Sequence, residues 1–247
     1  MSLQGTRVVV TGAAHGMGQR HCVELARRGA RVAALDIDKA ALAETISLMG
    51  GPSENVWGAC DVSNRAQVEE AVAEAARLFG GLDAIVSNAG TTNSTDGILD
   101  TDDEEWDKTF AVPVGGARNL CRAAIPHLED SQAPRIVIIS SMWAQRGPGY
   151  GYAYCSAKGA LLAFAKNLAV ELGPKQILVN AIAPGSIPTR QTEVFSAEEI
   201  AEDCKSIPLV RWAHEGEVTK LVCFLVSSET SYITGQTMGI NGGQVIA

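Results

Sequence analysis

Apolar positions along this chain fall into short unbroken runs. Longer stretches separate them, in which apolar residues recur every three or four positions. The runs RVVVT (7–11) and RVAALD (31–36), with 55–60, 84–87, 135–140, 178–183 and 238–240, are rich in β-branched residues. Most are nearly continuous in apolar residues, which predicts strands covered on both faces. Between them the spacing predicts helices over 16–28, 38–49, 64–79, 102–128, 152–173 and 215–227. Strand–helix alternation through short connections implies right-handed crossovers. The expected fold is α/β: a Rossmann-type doubly wound parallel sheet of about seven strands with helices on both faces. Segment 186–209 has mixed polarity and lies between two proline-containing stretches, so it is expected to be a loop with a short helix, a candidate lid. Thr101-Asp102-Asp103-Glu104 reads as a capping box with acids in the first turn. The stretch FAVPVGG (110–116) resists the helix that periodicity demands there. Pro113 in a helix interior costs about 3 kcal/mol and each following glycine about 1.

Composition narrows the function. A chain of 247 residues, 46% hydrophobic and 19% charged, fits one soluble domain spanning 1–247. No apolar run is long enough to span a membrane, and the start shows no secretory pattern. A net charge of −8 disfavours nucleic acid and anionic membranes as partners. The six cysteines include no CxxC pair, which points to reduced thiols and a cytoplasmic setting. His15, His21, His127 and His214 show no metal-ligand spacing and are expected on the surface or at helix ends. No metal site is expected.

The first strand runs into TGAAHGMG (11–18). Glycines at 12, 16 and 18 allow a sharp turn and let backbone amides approach a pyrophosphate at a helix N-terminus. The second strand ends at Asp36, whose carboxylate can accept both hydroxyls of an adenosine ribose and repels a 2′-phosphate. Neither Ile37 nor His15 provides an arginine for such a phosphate, so NAD is favoured over NADP. Asp36 could instead cap the helix that starts near Asp38.

Further on, SSMWAQRGPGYGYAYCSAK (140–158) places Tyr154 and Lys158 on one helix face. A free tyrosine titrates near ~10, too high for easy proton exchange at neutral pH. Lowering it by ~3 units takes roughly 4 kcal/mol, which an ammonium about 4 Å away supplies at an effective dielectric near 20. Ser141 or its neighbour Ser140 ends the preceding strand. In an open parallel sheet, reactive groups gather beyond the carboxyl ends of strands.

The sequence resembles the short-chain dehydrogenase/reductase family almost end to end. The resemblance rests on TGxxxGxG, SNAG (87–90), the Ser–Tyr–Lys spacing and PGSIPT (184–189). It selects Ser141, with Tyr154 and Lys158, as the catalytic set, and gives Lys158 the nicotinamide ribose to hold as well. It implies cofactor contacts at Gly12, His15, Gly16, Met17 and Gly18, at Asp36, and at Asp61-Val62 beside the adenine. Asn88 and Gly90 would lie beside the adenosine ribose and the cofactor. Pro184, Gly185, Ile187 and Thr189 would fix the nicotinamide, Ile187 through its backbone and Thr189 through its hydroxyl. In the family, an asparagine completes a tetrad where Pro113 stands, in a kinked helix whose carbonyl holds a water linked to the lysine. Pro113 keeps the carbonyl but has no side-chain amide. A homotetramer is implied.

The implied function is an NAD-dependent oxidoreductase interconverting a small-molecule secondary alcohol and a ketone. Alternatives are a 3-oxoacyl-[acyl-carrier-protein] reductase-like enzyme and a non-catalytic NAD-binding protein, the latter because of Pro113. The larger epimerase or dehydratase branch would need more C-terminal length. Asp36 opposes the NADPH usual for the acyl-carrier reductases. Glu129-Asp130-Ser131-Gln132 and Val170 lack the basic residues those enzymes present to an acidic carrier. Pocket candidates are 91–99, 142–152, 186–206 and Trp212. Trp143, Tyr150, Tyr152 and Phe195 point to an apolar, cyclic or aromatic substrate.

Overall fold

The computed structural model describes residues 2–51, 55–91, 97–147, 151–188 and 195–246. The strands are β1 (Arg7–Thr11), β2 (Arg31–Asp36), β3 (Val56–Ala59), β4 (Ala84–Ser87), β5 (Arg135–Ile139), β6 (Leu178–Pro184) and β7 (Thr237–Ile240). They form one parallel sheet in the order β3-β2-β1-β4-β5-β6-β7. Direction of winding reverses between β1 and β4, so a crevice opens beyond the carboxyl ends of these strands.

The unbroken apolar runs have a simple cause. Successive strand residues point to opposite faces, and here both faces are covered. Val9, Leu35, Ile85, Ile136 and Ile138 pack on one side, beneath α3 (Arg65–Phe79), α5 (Gly116–Leu128) and α6 (Tyr152–Leu172). Val8, Val10, Val32, Val86 and Val137 pack on the other, beneath α1 (Gly16–Arg27), α2 (Lys39–Leu48) and α8 (Glu215–Val226). Val8, Val9 and Val10 are wholly buried. Burying each such side chain contributes about 1.5 kcal/mol or more.

The stretch 102–128, expected as one helix, is three elements. A short helix α4 (Asp103–Phe110) leads into a π-helical turn at Ala111–Gly115, and α5 follows. Pro113 is buried in the wide turn. Proline has no N–H to donate, and its ring would strike a carbonyl in a regular α-turn. Widening the turn removes both conflicts. Backbone N–H groups at the end of the turn donate to the carbonyls of Ala111, Val112 and Pro113. The helix start also differs from expectation. Asp102, not Thr101, is the N-cap of α4, and its carboxylate accepts the Glu105 N–H at 2.9 Å. Thr101 instead donates its hydroxyl to the Gly97 carbonyl. The candidate lid segment does contain a short helix, α7 (Ala197–Lys205), opened by a Ser196–Glu199 capping box.

His21 is a further correction, since it is fully buried. It lies on the α1 face shared with Gly18, Cys22 and Leu25, which packs against α8. The Thr219 hydroxyl donates to the Glu215 carbonyl at 2.9 Å. The 2.8 Å contact between His21 Nδ1 and Thr219 Oγ1 is therefore donated by the ring. That leaves Nε2 buried with no partner.

Candidate active site

Thr11, at the end of β1, ties the crevice together. Its buried hydroxyl accepts the backbone N–H groups of Asn88 at 3.1 Å and Ala89 at 3.2 Å. The Asn88 side-chain amide in turn donates to the carbonyls of Thr11 and Gly12. Thr11 is the threonine of TGxxxGxG, but the sequence assigns it no role, and only the tertiary contact reveals one. Gly12 has φ +66°, and a Cβ there would stand 2.8 Å from the Ala89 Cα. A Cβ on Gly18 would run into the Gly12 carbonyl, so only glycine lets α1 sit this close to the loop.

The N-terminus of α1 is left open. His15 stands at the cap in extended conformation with no side-chain cap bond, and no acid lies in the first turn. By contrast α2, α3, α4 and α7 are capped by Asp38, Asn64, Asp102 and Ser196. Gly12, His15, Gly16, Met17 and Gly18 line a cleft of about 810 Å³. Free amides, the positive end of the helix and close backbone approach suit a pyrophosphate. Asp36 also lines the cleft. Its carboxylate accepts N–H groups from Ala14 at 3.0 Å and Asp38 at 2.9 Å. Because Asp38 is the residue that caps α2, Asp36 is not that helix's cap. Its contacts hold the carboxylate at the mouth, where a ribose diol could reach it.

Asn88, Gly90, Pro184, Gly185 and Ile187 share the same cleft wall. Asp61 and Val62 do not. Asp61 accepts from the Ser63 backbone and hydroxyl, and the Val62 carbonyl accepts from Asn119. Thr189 lies outside the described residues.

Ser141, Tyr154 and Lys158 all meet at this cleft, beyond the end of β5. The two adjacent serines are separated by their bonds. Ser140 donates to the Lys158 carbonyl at 2.8 Å, fastening α6 to the strand end. Ser141 Oγ accepts the Trp143 N–H at 3.2 Å, which leaves its own proton without an acceptor among the described residues. Lys158 is buried, and Nζ donates to the Ile139 carbonyl at 3.1 Å. Burial brings the ammonium pKa down to about 8. Nζ lies 5.7 Å from the centre of the Tyr154 ring. An ammonium held over the ring in this way favours the charged phenolate over the neutral phenol.

At the other end the wall is aromatic. Trp143, Phe195 and Trp212 line the cleft, and Phe195 meets Trp212 edge to face at 6.3 Å between centroids. Asp203, on α7, accepts from Trp212 Nε1 at 2.6 Å and from the Ser186 hydroxyl at 2.8 Å, so it pins the short helix to the loop after β6. Nothing in the sequence distinguished Asp203 from the other acids of α7. Tyr152 is half exposed and lies off the cleft, while Tyr150 is outside the described residues. Of 91–99, Thr91 lines the cleft, and Ile98 and Leu99 are exposed.

A doubly wound sheet whose open helix N-terminus faces a Ser–Tyr–Lys cluster defines an oxidoreductase of the nucleotide-binding α/β class. A family model described as enoyl-(acyl carrier protein) reductase matches residues 12–244. A short-chain type dehydrogenase/reductase of Sinorhizobium fredii is 36% identical over the full length of both chains. Among solved structures, the 3-ketoacyl-(acyl-carrier-protein) reductase of Brucella melitensis complexed with NADH aligns with a TM-score of 0.93 and 30% identity. It covers 99% of this chain and 100% of that one. The RhlG/NADP active-site complex of Pseudomonas aeruginosa aligns with a TM-score of 0.92 at 30% identity, covering 98% and 97%. The chain belongs to the short-chain dehydrogenase/reductase family, whose members act on CH–OH and keto groups. Among the described residues no helix is long and apolar enough to cross a membrane, and no cluster of potential metal ligands occurs.

Proposed function

We propose that this chain is an NAD-dependent oxidoreductase that interconverts a small-molecule secondary alcohol and a ketone. The observation that carries the reading is one continuous cleft. It joins Asp36 and the open N-terminus of α1 to Ser141, Tyr154 and Lys158. Nicotinamide chemistry would supply or accept the hydride at the substrate carbon. The protein's own residues do the rest. Ser141 offers its O–H to the substrate oxygen, and Tyr154 takes the proton from an alcohol or returns it to a ketone. Lys158, in its ammonium form, offsets the phenolate charge and holds the nicotinamide-side sugar. Pro113 keeps the carbonyl that a water relay would use: it accepts one backbone N–H and has a second lone pair.

Asp36 supports NAD over NADP, because a 2′-phosphate would face its carboxylate and no arginine neighbours it at Ile37 or His15. Acyl-carrier reductases among the relatives favour a second reading, 3-oxoacyl reduction. Against it, Glu129 is ion-paired with Lys175 at 2.6 Å, and exposed Asp130 and Val170 offer no attraction to an acidic carrier. The aromatic end suits an apolar substrate. We further propose a single domain over 1–247 and a cytoplasmic homotetramer. Exposed Val170, Tyr232 and Ile246 supply apolar surface for subunit contacts.

The test is a coenzyme-monitored screen of alcohols and ketones with NAD(H) and NADP(H). Turnover with NAD(H), abolished in Tyr154→Phe and shifted toward NADP(H) in Asp36→Ala, is expected. Tight NADH binding with no turnover across the panel would instead establish a binding protein.

A further inference from the structure

Thr91 follows Gly90 in the cleft wall, and its hydroxyl is unusual: Oγ1 is buried and has no hydrogen-bond partner. Buried polar groups are nearly always paired, so an orphan beside a cleft points to a partner that arrives from outside. The other buried atom of this kind among the described residues, His21 Nε2, sits between α1 and α8 and lines no cleft. The neighbouring wall explains what Thr91 could meet. Lys158 Nζ carries three donors and no acceptor, and one of its N–H groups goes to Ile139. Gly90 lies flush against it, since a Cβ at that position would be 3.5 Å from Nζ. A sugar hydroxyl that accepts from the ammonium has its own proton to place, and a threonine oxygen can take it.

The geometry points to Thr91 as a positioning residue for the coenzyme, its hydroxyl bonding a sugar hydroxyl of the bound dinucleotide on the Lys158 side of the cleft. This rests on the dinucleotide reading above. It is tested by titrating NADH into the wild-type chain, Thr91→Val and Thr91→Ser, following coenzyme fluorescence, with the thermal midpoint of each unliganded protein measured alongside. The isosteric Thr91→Val should raise the NADH dissociation constant about 5- to 20-fold, the loss of one polar contact. Its unliganded midpoint should equal or exceed that of wild type, because a methyl replaces an unpartnered hydroxyl. Thr91→Ser should stay within about threefold of wild type in affinity. Equal NADH affinity in wild type and Thr91→Val overturns the assignment. So does a lower unliganded midpoint in Thr91→Val, which would make the hydroxyl structural. Failure of the wild-type chain to bind NADH would instead remove the dinucleotide reading itself.

Discussion

His21 yields a stability prediction independent of any substrate. Its imidazole is fully buried, and desolvation lowers its pKa from 6.5 to about 3. The folded protein therefore keeps the ring neutral at mild acidity, while the unfolded chain protonates it. Where the unfolded state binds more protons, stability rises with pH, so it must fall as pH drops below 6.5 toward 3. For these two values the loss between pH 7 and pH 5 is about 2 kcal/mol. Carboxylates held low in the fold, such as Glu24 and Glu217 at about 2, also lose stability on acidification. Their loss begins near the ordinary carboxylate pKa and belongs mainly below pH 5. The assay is urea unfolding followed by tryptophan fluorescence at pH 7 and pH 5. His21→Asn is the control, because its amide nitrogen can still donate to Thr219 while nothing remains to titrate. Wild type should lose about 2 kcal/mol over this range, or about 4–8 °C of thermal midpoint for a chain of this size. His21→Asn should lose well under half of that. Equal slopes for the two proteins would refute the reasoning, as would a His21 ring that titrates near 6.5 in the folded protein.

Four more outcomes follow from the site. Ser140→Ala should cost about 1 kcal/mol of stability by removing the bond to the Lys158 carbonyl. Ser141→Ala should leave the urea midpoint nearly unchanged while reducing turnover about 100-fold; the reverse pattern would exchange the two roles. Pro113→Ala should change stability by less than ~1 kcal/mol, because the wide turn already accommodates the ring. A gain near the ~3 kcal/mol of a proline in a regular helix would show that it does not. Gly18→Ala places a methyl against the Gly12 carbonyl, so calorimetry should show NADH affinity at least tenfold weaker. Unchanged binding would disprove the close approach of α1 to the loop.

The sequence by itself determined the sheet and most of its helices, because continuous apolar runs and amphipathic spacing are local consequences of burial on both faces or on one. It also located the glycine loop and the Tyr154–Lys158 pair, since each chemistry depends on fixed spacing within one turn or helix. What it left undecided were matters of contact between distant segments. Nothing in the order of residues says that Ser140 points at the Lys158 carbonyl while Ser141 faces the cleft. Nor does it say that position 21 falls on the α1 face that α8 covers, which turned an expected surface histidine into a buried one. Pro113 announced a broken helix, but only the packed chain showed the break as a π-turn. Spacing along a chain fixes which groups can share a local element. Side-chain direction and burial arise only when elements pack, and they decide which of those groups reach the cleft.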